Sequence, residues 1–346
     1  MHKYQQMKIL ITGGTGYIGS HTAVELIESG HQVILVDNLS NSTIEVLDCI
    51  EQITGIKPAF EQLDLTEVDK TARFFEMHPD LDGIIHFAAS KYVGESVQDP
   101  LKYYQNNLFS LINILQGMKT RQIRNIVFSS SCTVYGQPDQ LPVKEDAPVM
   151  PAMSPYGNTK QVSEEILRDF THSFPAQVIA LRYFNPIGAH DSALIGELPI
   201  GVPQNLLPYV TQTAIGKRAQ LSVFGNDYHT PDGTCIRDYI HVVDLAKAHV
   251  KAVERLVEQR AKQPFEVFNI GTGNGTSVLE IIKAFERVTG VKLNYRFEAR
   301  RAGDIEQVWA DTTLANQELG WKAEKSLDEM VDSAWKWEMR LGKASE

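Results

Sequence analysis

Nine residues near the start of the chain, Ile11-Thr12-Gly13-Gly14-Thr15-Gly16-Tyr17-Ile18-Gly19, constrain its fold more than any other stretch. They follow the apolar run Lys8-Ile9-Leu10-Ile11-Thr12 and precede a helix-like segment that Gly30 brings to a stop, so the local order is strand, tight turn, helix. Two glycine registers are open, Gly14, Gly16 and Gly19 in G-x-G-x-x-G or Gly13, Gly16 and Gly19 in G-x-x-G-x-x-G. In either, the missing Cβ atoms permit the turn and let backbone N–H groups approach a pyrophosphate at the positive end of a helix.

Short continuous apolar runs recur at 33–36, 83–87, 125–128 and 177–181, with helix-like stretches near 20–29, 67–77, 100–118 and 156–172. Runs of this kind are strands buried on both faces, and their alternation with helices calls for an α/β fold, a doubly wound parallel sheet of the Rossmann type. Asn185-Pro186-Ile187-Gly188 breaks the pattern. The expected division is therefore 1–185 as the dinucleotide-binding domain and 186–346 as a smaller C-terminal α/β domain for substrate, some segments of which can return to the first. Helices are predicted there near 205–216, 244–260 and 278–289. Ser277-Val278-Leu279-Glu280 and Ser326-Leu327-Asp328-Glu329 each match a capping box and mark helix starts.

The chain has 346 residues, 22% charged, with a formal net charge of -10. No basic arm offers a surface to nucleic acid, so DNA and RNA are not expected partners. No apolar run approaches the ~20 residues of a membrane span, and Met1-His2-Lys3-Tyr4-Gln5-Gln6 lacks the apolar stretch of a signal peptide, so a cytoplasmic location is expected. Cys49, Cys132 and Cys235 fit neither a disulfide framework nor a zinc site, and no metal is expected.

Asp37 closes the second strand eighteen residues after Gly19. An acid there accepts from a ribose diol and repels a 2′-phosphate, and neighbouring Asn38 and Leu39 supply no cation, so NAD is favoured over NADP. Asp64, ending the third predicted strand, is placed to receive an adenine amine. Further on, Tyr156-Gly157-Asn158-Thr159-Lys160 sets a phenol and an ammonium one helical turn apart. A tyrosine acting as a base near neutrality needs a shift of about 3 pH units, or roughly 4 kcal/mol. A cation at ~4 Å in an effective dielectric of 20 supplies about that much.

With these features joined by Phe87-Ala88-Ala89 and Ser129-Ser130-Ser131, the chain resembles the extended short-chain dehydrogenases/reductases. His86-Phe87-Ala88-Ala89-Ser90-Lys91-Tyr92-Val93-Gly94-Glu95-Ser96, Ser129-Ser130-Ser131-Cys132-Thr133-Val134-Tyr135-Gly136, Tyr183-Phe184-Asn185-Pro186-Ile187-Gly188-Ala189 and Arg237-Asp238-Tyr239-Ile240-His241-Val242 narrow the likeness to the UDP-glucose 4-epimerase family, over about residues 8 to 340. The resemblance implies that Tyr156 takes the proton of the sugar 4-hydroxyl while NAD accepts hydride from carbon 4. The resulting 4-keto sugar turns over and is reduced on its other face, interconverting UDP-glucose and UDP-galactose. Ser131 would bind the reacting hydroxyl, and Lys160 would hold the nicotinamide ribose and lower the tyrosine pKa. Cofactor contacts implied in the same way are Gly13, Gly16, Tyr17, Ile18, Gly19, Asp37, Asn38, Asp64, Leu65, Phe87, Ala88, Ala89, Lys91, Asn106, Ser129, Tyr156, Lys160 and Tyr183. For the UDP-sugar, the implied residues are Lys91, Ser131, Tyr156, Tyr183, Phe184, Asn185, Asn205, Leu206, Phe224, Arg237, Tyr239, Arg301, Asp304 and Val308.

In Arg301-Ala302-Gly303-Asp304-Ile305-Glu306-Gln307-Val308-Trp309, Val308 stands where narrow-substrate relatives carry a bulky Tyr, which raises epimerisation of UDP-N-acetylglucosamine as an alternative. A rival reaction is that of nucleotide-sugar 4,6-dehydratases, which carry an Asp-Glu pair where this chain has Cys132-Thr133. Another rival is a non-catalytic NAD-binding protein, although such modules usually lose the Tyr or Lys kept here. The resemblance also implies a homodimer paired through the helices near 100–118 and 156–172. Asn113, Leu115 and Met118 can equally face the subunit's own sheet.

Overall fold

The computed structural model describes residues 6–301 and 304–344; Met1 to Gln5 and the Ala302-Gly303 step of the arginine motif lie outside the described residues. Six strands run through the first half: β1 (Lys8–Thr12), β2 (Gln32–Asp37), β3 (Ala59–Gln62), β4 (Gly83–His86), β5 (Asn125–Ser131) and β6 (Gln177–Tyr183). The helices between them are α1 (Tyr17–Glu28), α2 (Val46–Thr54), α3 (Val68–Met77), α4 (Val93–Gln98), α5 (Pro100–Arg121) and α6 (Pro155–Ser173). In the second half come β7 (Asn185–Ile187), α7 (Leu206–Ala214), β8 (Leu221–Phe224), β9 (Ile236–Arg237), β10 (Tyr239–His241), α8 (Val242–Val257) and β11 (Phe265–Ile270). The chain ends with β12 (Thr276–Ser277), α9 (Val278–Thr289), β13 (Tyr295–Glu298), β14 (Gln307–Val308) and α10 (Leu327–Ala344).

One seven-stranded sheet, ordered β3-β2-β1-β4-β5-β6-β11, organises the molecule, and each neighbouring pair in it is parallel. Alternation along each strand divides its residues between two layers. Ile9 and Ile11 of β1 join a core with α1, α2 and α8, whereas Leu10 joins a core with α3, α5 and α6. Strand order reverses between β1 and β4, which opens a crevice at their C-terminal ends where such sheets bind ligands.

The chain beyond residue 186 occupies both parts of the molecule. Helix α8 supplies Leu245, Ala248 and Val253 to the first core, and β11 extends the main sheet beside β6. A separate core gathers Leu207, Val210, Val223, Ile281, Phe285 and Val331 from α7, β8, α9 and α10. Helices α2 and α4 were not expected from the sequence. Helix α4 has only six residues, whereas α2 carries a helical pattern in Val46, Leu47, Ile50 and Ile53, all packed on the first core, that went unread in the sequence. Strand β3 stops at Gln62, so Asp64 lies two residues past it, in the following turn. Both capping boxes form: Ser277 with Glu280, and Ser326 with Glu329.

Candidate active site

The glycine turn is built by contact as much as by flexibility. Gly13 takes φ +66°, and a Cβ there would stand 2.9 Å from the Ala88 nitrogen on the next strand's exit loop. A Cβ on Gly19 would fall 2.2 Å from the Gly13 carbonyl oxygen, so the first turn of α1 can close on the strand only as glycine. Gly16 caps α1 without any side-chain acceptor, which leaves the first-turn N–H groups to a ligand.

A cavity of about 1000 Å³ extends from this turn across the sheet's C-terminal edge. Along it lie the whole implied cofactor set: Gly13, Gly16, Tyr17, Ile18 and Gly19; Asp37, Asn38, Asp64 and Leu65; Phe87, Ala88, Ala89, Lys91 and Asn106; Ser129, Tyr156, Lys160 and Tyr183. Asp37 is fixed by the Leu39 N–H at 2.9 Å, the Ser42 hydroxyl at 3.2 Å and the Thr15 N–H at 3.3 Å. Burial alone would raise the Asp64 pKa, but hydrogen bonds from Thr66 and Asn38 outweigh it and hold the group below the ordinary aspartate value. An uncapped helix end, a backbone cradle with no room for a methyl, and two anchored carboxylates along one cavity fit a dinucleotide with a free ribose diol.

At the other end, β5 delivers Ser131 and β6 delivers Tyr183 as directly opposed partners. Helix α6 starts beside them because Ser154 caps it, accepting from the Gly157 N–H at 3.1 Å, with Pro155 at its first position. That start sets Tyr156 and Lys160 on the cavity face. Burial pushes the Tyr156 phenol well above its ordinary value, and the Ser131 hydroxyl draws it back. Burial also pulls the Lys160 ammonium down to about 7, with Glu164 opposing. Lys160 Nζ donates to the Ser129 carbonyl at 2.7 Å and lies 5.9 Å from the Tyr156 ring centroid. Desolvation outweighs the nearby cation, and the phenol stays above its ordinary value. Lys160 alone does not make Tyr156 a base at neutrality.

Below the pair lies a buried network with no counterpart in the sequence reading. Glu164 accepts from the Ser130 hydroxyl at 2.5 Å and from Arg182 Nε at 2.9 Å, and its charge faces Lys160 one turn away. Asn107 ties the Ser90 backbone to Thr159 of α6, at 2.7 and 3.0 Å, and so sets the loop that bears Lys91. The four-residue step from Lys160 to Glu164 was the available signal for the first; nothing in the sequence marked Asn107.

The implied sugar-nucleotide residues split into two groups. Lys91, Ser131, Tyr156, Tyr183, Phe184, Asn185 and Asn205 line the cavity. Leu206, Phe224, Arg237, Tyr239, Arg301, Asp304 and Val308 do not, and most of them form a flank beside it. There Val308 pairs in register with Arg237 and is packed with Phe184 and Cys132, while Tyr239 pairs with Asn185. The Arg301 guanidinium is turned to Asp304 at 2.9 Å and lies 5.7 Å from the Phe224 ring. Leu206 instead packs against the core of the second part. At the position of a dehydratase's carboxylates, burial pushes the Cys132 thiol up to about 12, and the Thr133 hydroxyl has no hydrogen-bond partner. Neither group can serve as a carboxylate acid or base there.

Known proteins match this arrangement over nearly all of the chain. The family model described as GDP-mannose 4,6 dehydratase matches residues 10–334. The UDP-glucose 4-epimerase of Bacillus subtilis is 51% identical over 333 residues, covering 96% of this chain and 97% of the relative. The crystal structure of UDP-glucose 4-epimerase from Stenotrophomonas maltophila, with bound NAD and formylated UDP-arabinopyranose, superposes with a TM-score of 0.94 at 48% identity, covering 98% of this chain and 100% of the other. That from Bifidobacterium longum, in complex with NAD+ and UDP, gives 0.92 at 46% identity over 96% and 98%. With its seven-stranded parallel sheet, its glycine cradle and its Ser131, Tyr156 and Lys160 at one cavity, this chain belongs to the UDP-glucose 4-epimerases of the extended short-chain dehydrogenase/reductase superfamily.

Proposed function

We propose that the protein is an NAD-dependent isomerase that inverts carbon 4 of UDP-glucose and UDP-galactose through a transient 4-keto sugar. The observation that carries this reading is the single cavity that joins an uncapped dinucleotide cradle to Ser131, Tyr156 and Lys160. NAD held along the cradle supplies the oxidation of carbon 4 to a ketone and its reduction back.

The chain's own residues handle the proton and the positioning. Tyr156 accepts the proton of the 4-hydroxyl and returns it to the opposite configuration, with Ser131 sharing the hydrogen bond at the same oxygen. Lys160, anchored on the Ser129 carbonyl, offsets the negative charge that forms on the phenol. Arg237, Arg301 and Asp304 on the flank, with Phe224 and Tyr239, are assigned to the uridine diphosphate. Phe184, Asn185, Asn205 and Leu206 are assigned to its junction with the sugar. Firm hold on the nucleotide and lighter hold on the pyranose let the ketone present either face. The nucleotide-sugar part of the chain is assigned to 186–346, less the α8 to β11 segment that packs on the first core.

A second substrate follows from Val308, whose small side chain packs against Phe184 in a shared cluster, beside a wall of the cavity. We assign to it tolerance of a 2-acetamido group. Incubation of the purified protein with UDP-galactose and, separately, UDP-N-acetylgalactosamine, without added cofactor, should yield the glucose forms of both. No conversion of UDP-galactose even with NAD added would refute the main reading, and conversion of UDP-galactose alone would refute the second.

We further propose a cytoplasmic homodimer. Among the described residues no helix is long and apolar enough to cross a membrane, and Cys49, Cys132 and Cys235 are free. Asn113, Leu115 and Met118 of α5 are buried in the subunit, whereas Leu101, Phe109 and Ile112 of the same helix face outward with Val97 of α4, an apolar surface suited to a second copy.

A further inference from the structure

A carboxylate stands in the wall of a cavity meant for anionic ligands. Glu197 lies in the segment between β7 and α7, lines the cavity, and is only 12% exposed. Its Oε1 accepts from the Asn205 amide at 2.5 Å and from the Lys91 ammonium at 3.4 Å. Asn205 occupies the N-cap position of α7, where an asparagine side chain ordinarily accepts from the helix's own first-turn N–H groups. That cap is not made here, the amide being turned to Glu197 instead.

Lys91 reaches the same oxygen from the opposite wall. It belongs to the loop after β4, and its ammonium lies 6.0 Å from the centroid of Tyr17, the residue that opens α1 beside the glycine cradle. The segment that bears Glu197 is itself fixed. Trp337 of α10 donates its indole N–H to the Glu197 carbonyl at 2.9 Å, and a Cβ on Gly196 would stand 2.6 Å from that indole.

We propose that Glu197 is a positioning residue that couples the two ligand sites, one carboxylate holding Lys91 toward the dinucleotide and Asn205 toward the sugar nucleotide. The proposal rests on the epimerase reading above. Facing two phosphate-bearing ligands, an unpaired carboxylate would repel both; bound to an amide and an ammonium, it fixes their donors instead. A glutamine at this place keeps the size but loses the charge that draws two donors to one oxygen. Lys91 is then released, and Asn205 is free to cap its own helix.

The test is Glu197→Gln, with Glu197→Asp, Lys91→Met and the double variant Lys91→Met with Glu197→Gln. Two quantities are read: NAD retained through gel filtration, and kcat and KM for UDP-galactose. Glu197→Gln should retain less NAD and raise KM about tenfold, with kcat changed less than about twofold, the loss expected for one charge-assisted hydrogen bond. Glu197→Asp should recover part of both. In the Lys91→Met background, Glu197→Gln should lower NAD retention no further, because the coupling to the dinucleotide runs through that ammonium. Wild-type NAD retention and KM in Glu197→Gln would overturn the proposal, as would a further loss in the double variant. A Glu197→Gln chain without a native circular dichroism spectrum would overturn it too, since a clamp on the cavity wall leaves the fold standing. If the wild type fails to epimerise, the catalytic reading falls, while NAD retention still decides the role of Glu197.

Discussion

Tyr156 and Lys160 sit one helical turn apart, yet burial drives each toward its own neutral form: the phenol holds its proton more tightly and the ammonium more loosely. The pair acquires its working charges from what surrounds it. Ser131 draws the phenol down and Glu164 draws the ammonium up, so each side chain of the pair depends on a partner outside the Tyr-x-x-x-Lys spacing. Removing the phenol oxygen should therefore impair proton transfer without disturbing the fold. Tyr156→Phe is expected to lower kcat about 10² to 10⁴-fold while keeping a native circular dichroism spectrum. Epimerisation at the wild-type rate would exclude Tyr156 as the proton acceptor. The motif itself was legible in the sequence; that burial outweighs the cation at the phenol, and that Lys160 is anchored on the Ser129 carbonyl, was not.

Elements that carry strong local signals were the ones the sequence foretold. The apolar runs of β1, β2, β4, β5 and β6, the serine caps of α9 and α10, and the stop at Gly30 each follow from residues close together in the chain. The six-residue α4 gave no such signal. Helix α5 shows what a helix pattern alone leaves open, since which of its faces meets the subunit's own sheet depends on how α3 and α6 flank it. The homodimer proposed above rests on this element's outward residues Leu101, Phe109 and Ile112. Phe109→Lys places a charge in that apolar face and should convert a sedimenting dimer to a monomer with an unchanged circular dichroism spectrum. A wild-type chain that sediments as a monomer would remove the proposal.

Across the described residues of the molecule, burial pulls His21, His86, His241 and His249 furthest below the ordinary imidazole value, with His190 lowered in the same sense. His21 and His86 are pulled down to about 3, and His241 and His249 to about 4, in each case first by desolvation. Their folded-state pKa values lie below the ordinary value near 6.5, so below that pH the unfolded chain binds more protons than the folded one. The stability they permit is present above pH ~6.5 and is lost as pH falls through that value toward 4, at about 1.4 kcal/mol per pH unit for each imidazole. Glu25 acts oppositely: burial lifts it to about 7, so folding gains from its protonation as pH falls from 7 to 4.5. Glu145, Asp238 and Asp244, also raised by burial, act with Glu25, and His190 acts with the other imidazoles; the imidazoles titrate from 6.5 downward in the unfolded chain, so the urea midpoint should drop between pH 6.5 and 4.5. A midpoint flat across that window would contradict the buried-neutral assignment.

The order of strands and helices, the glycine turn, the acid at Asp37 and the Tyr-Lys pair are written in neighbouring residues, and the sequence alone determined them because each depends on spacing within a turn or a strand. Assembly of residues distant in the chain is different. That Glu197 bridges Lys91 and Asn205, that Glu164 meets Arg182 beneath Lys160, and that α8 and β11 return to the first core are decisions of the tertiary structure. Such contacts arise only when packing brings separate elements together, and a charged side chain's partner is chosen by that packing rather than by its neighbours in the chain.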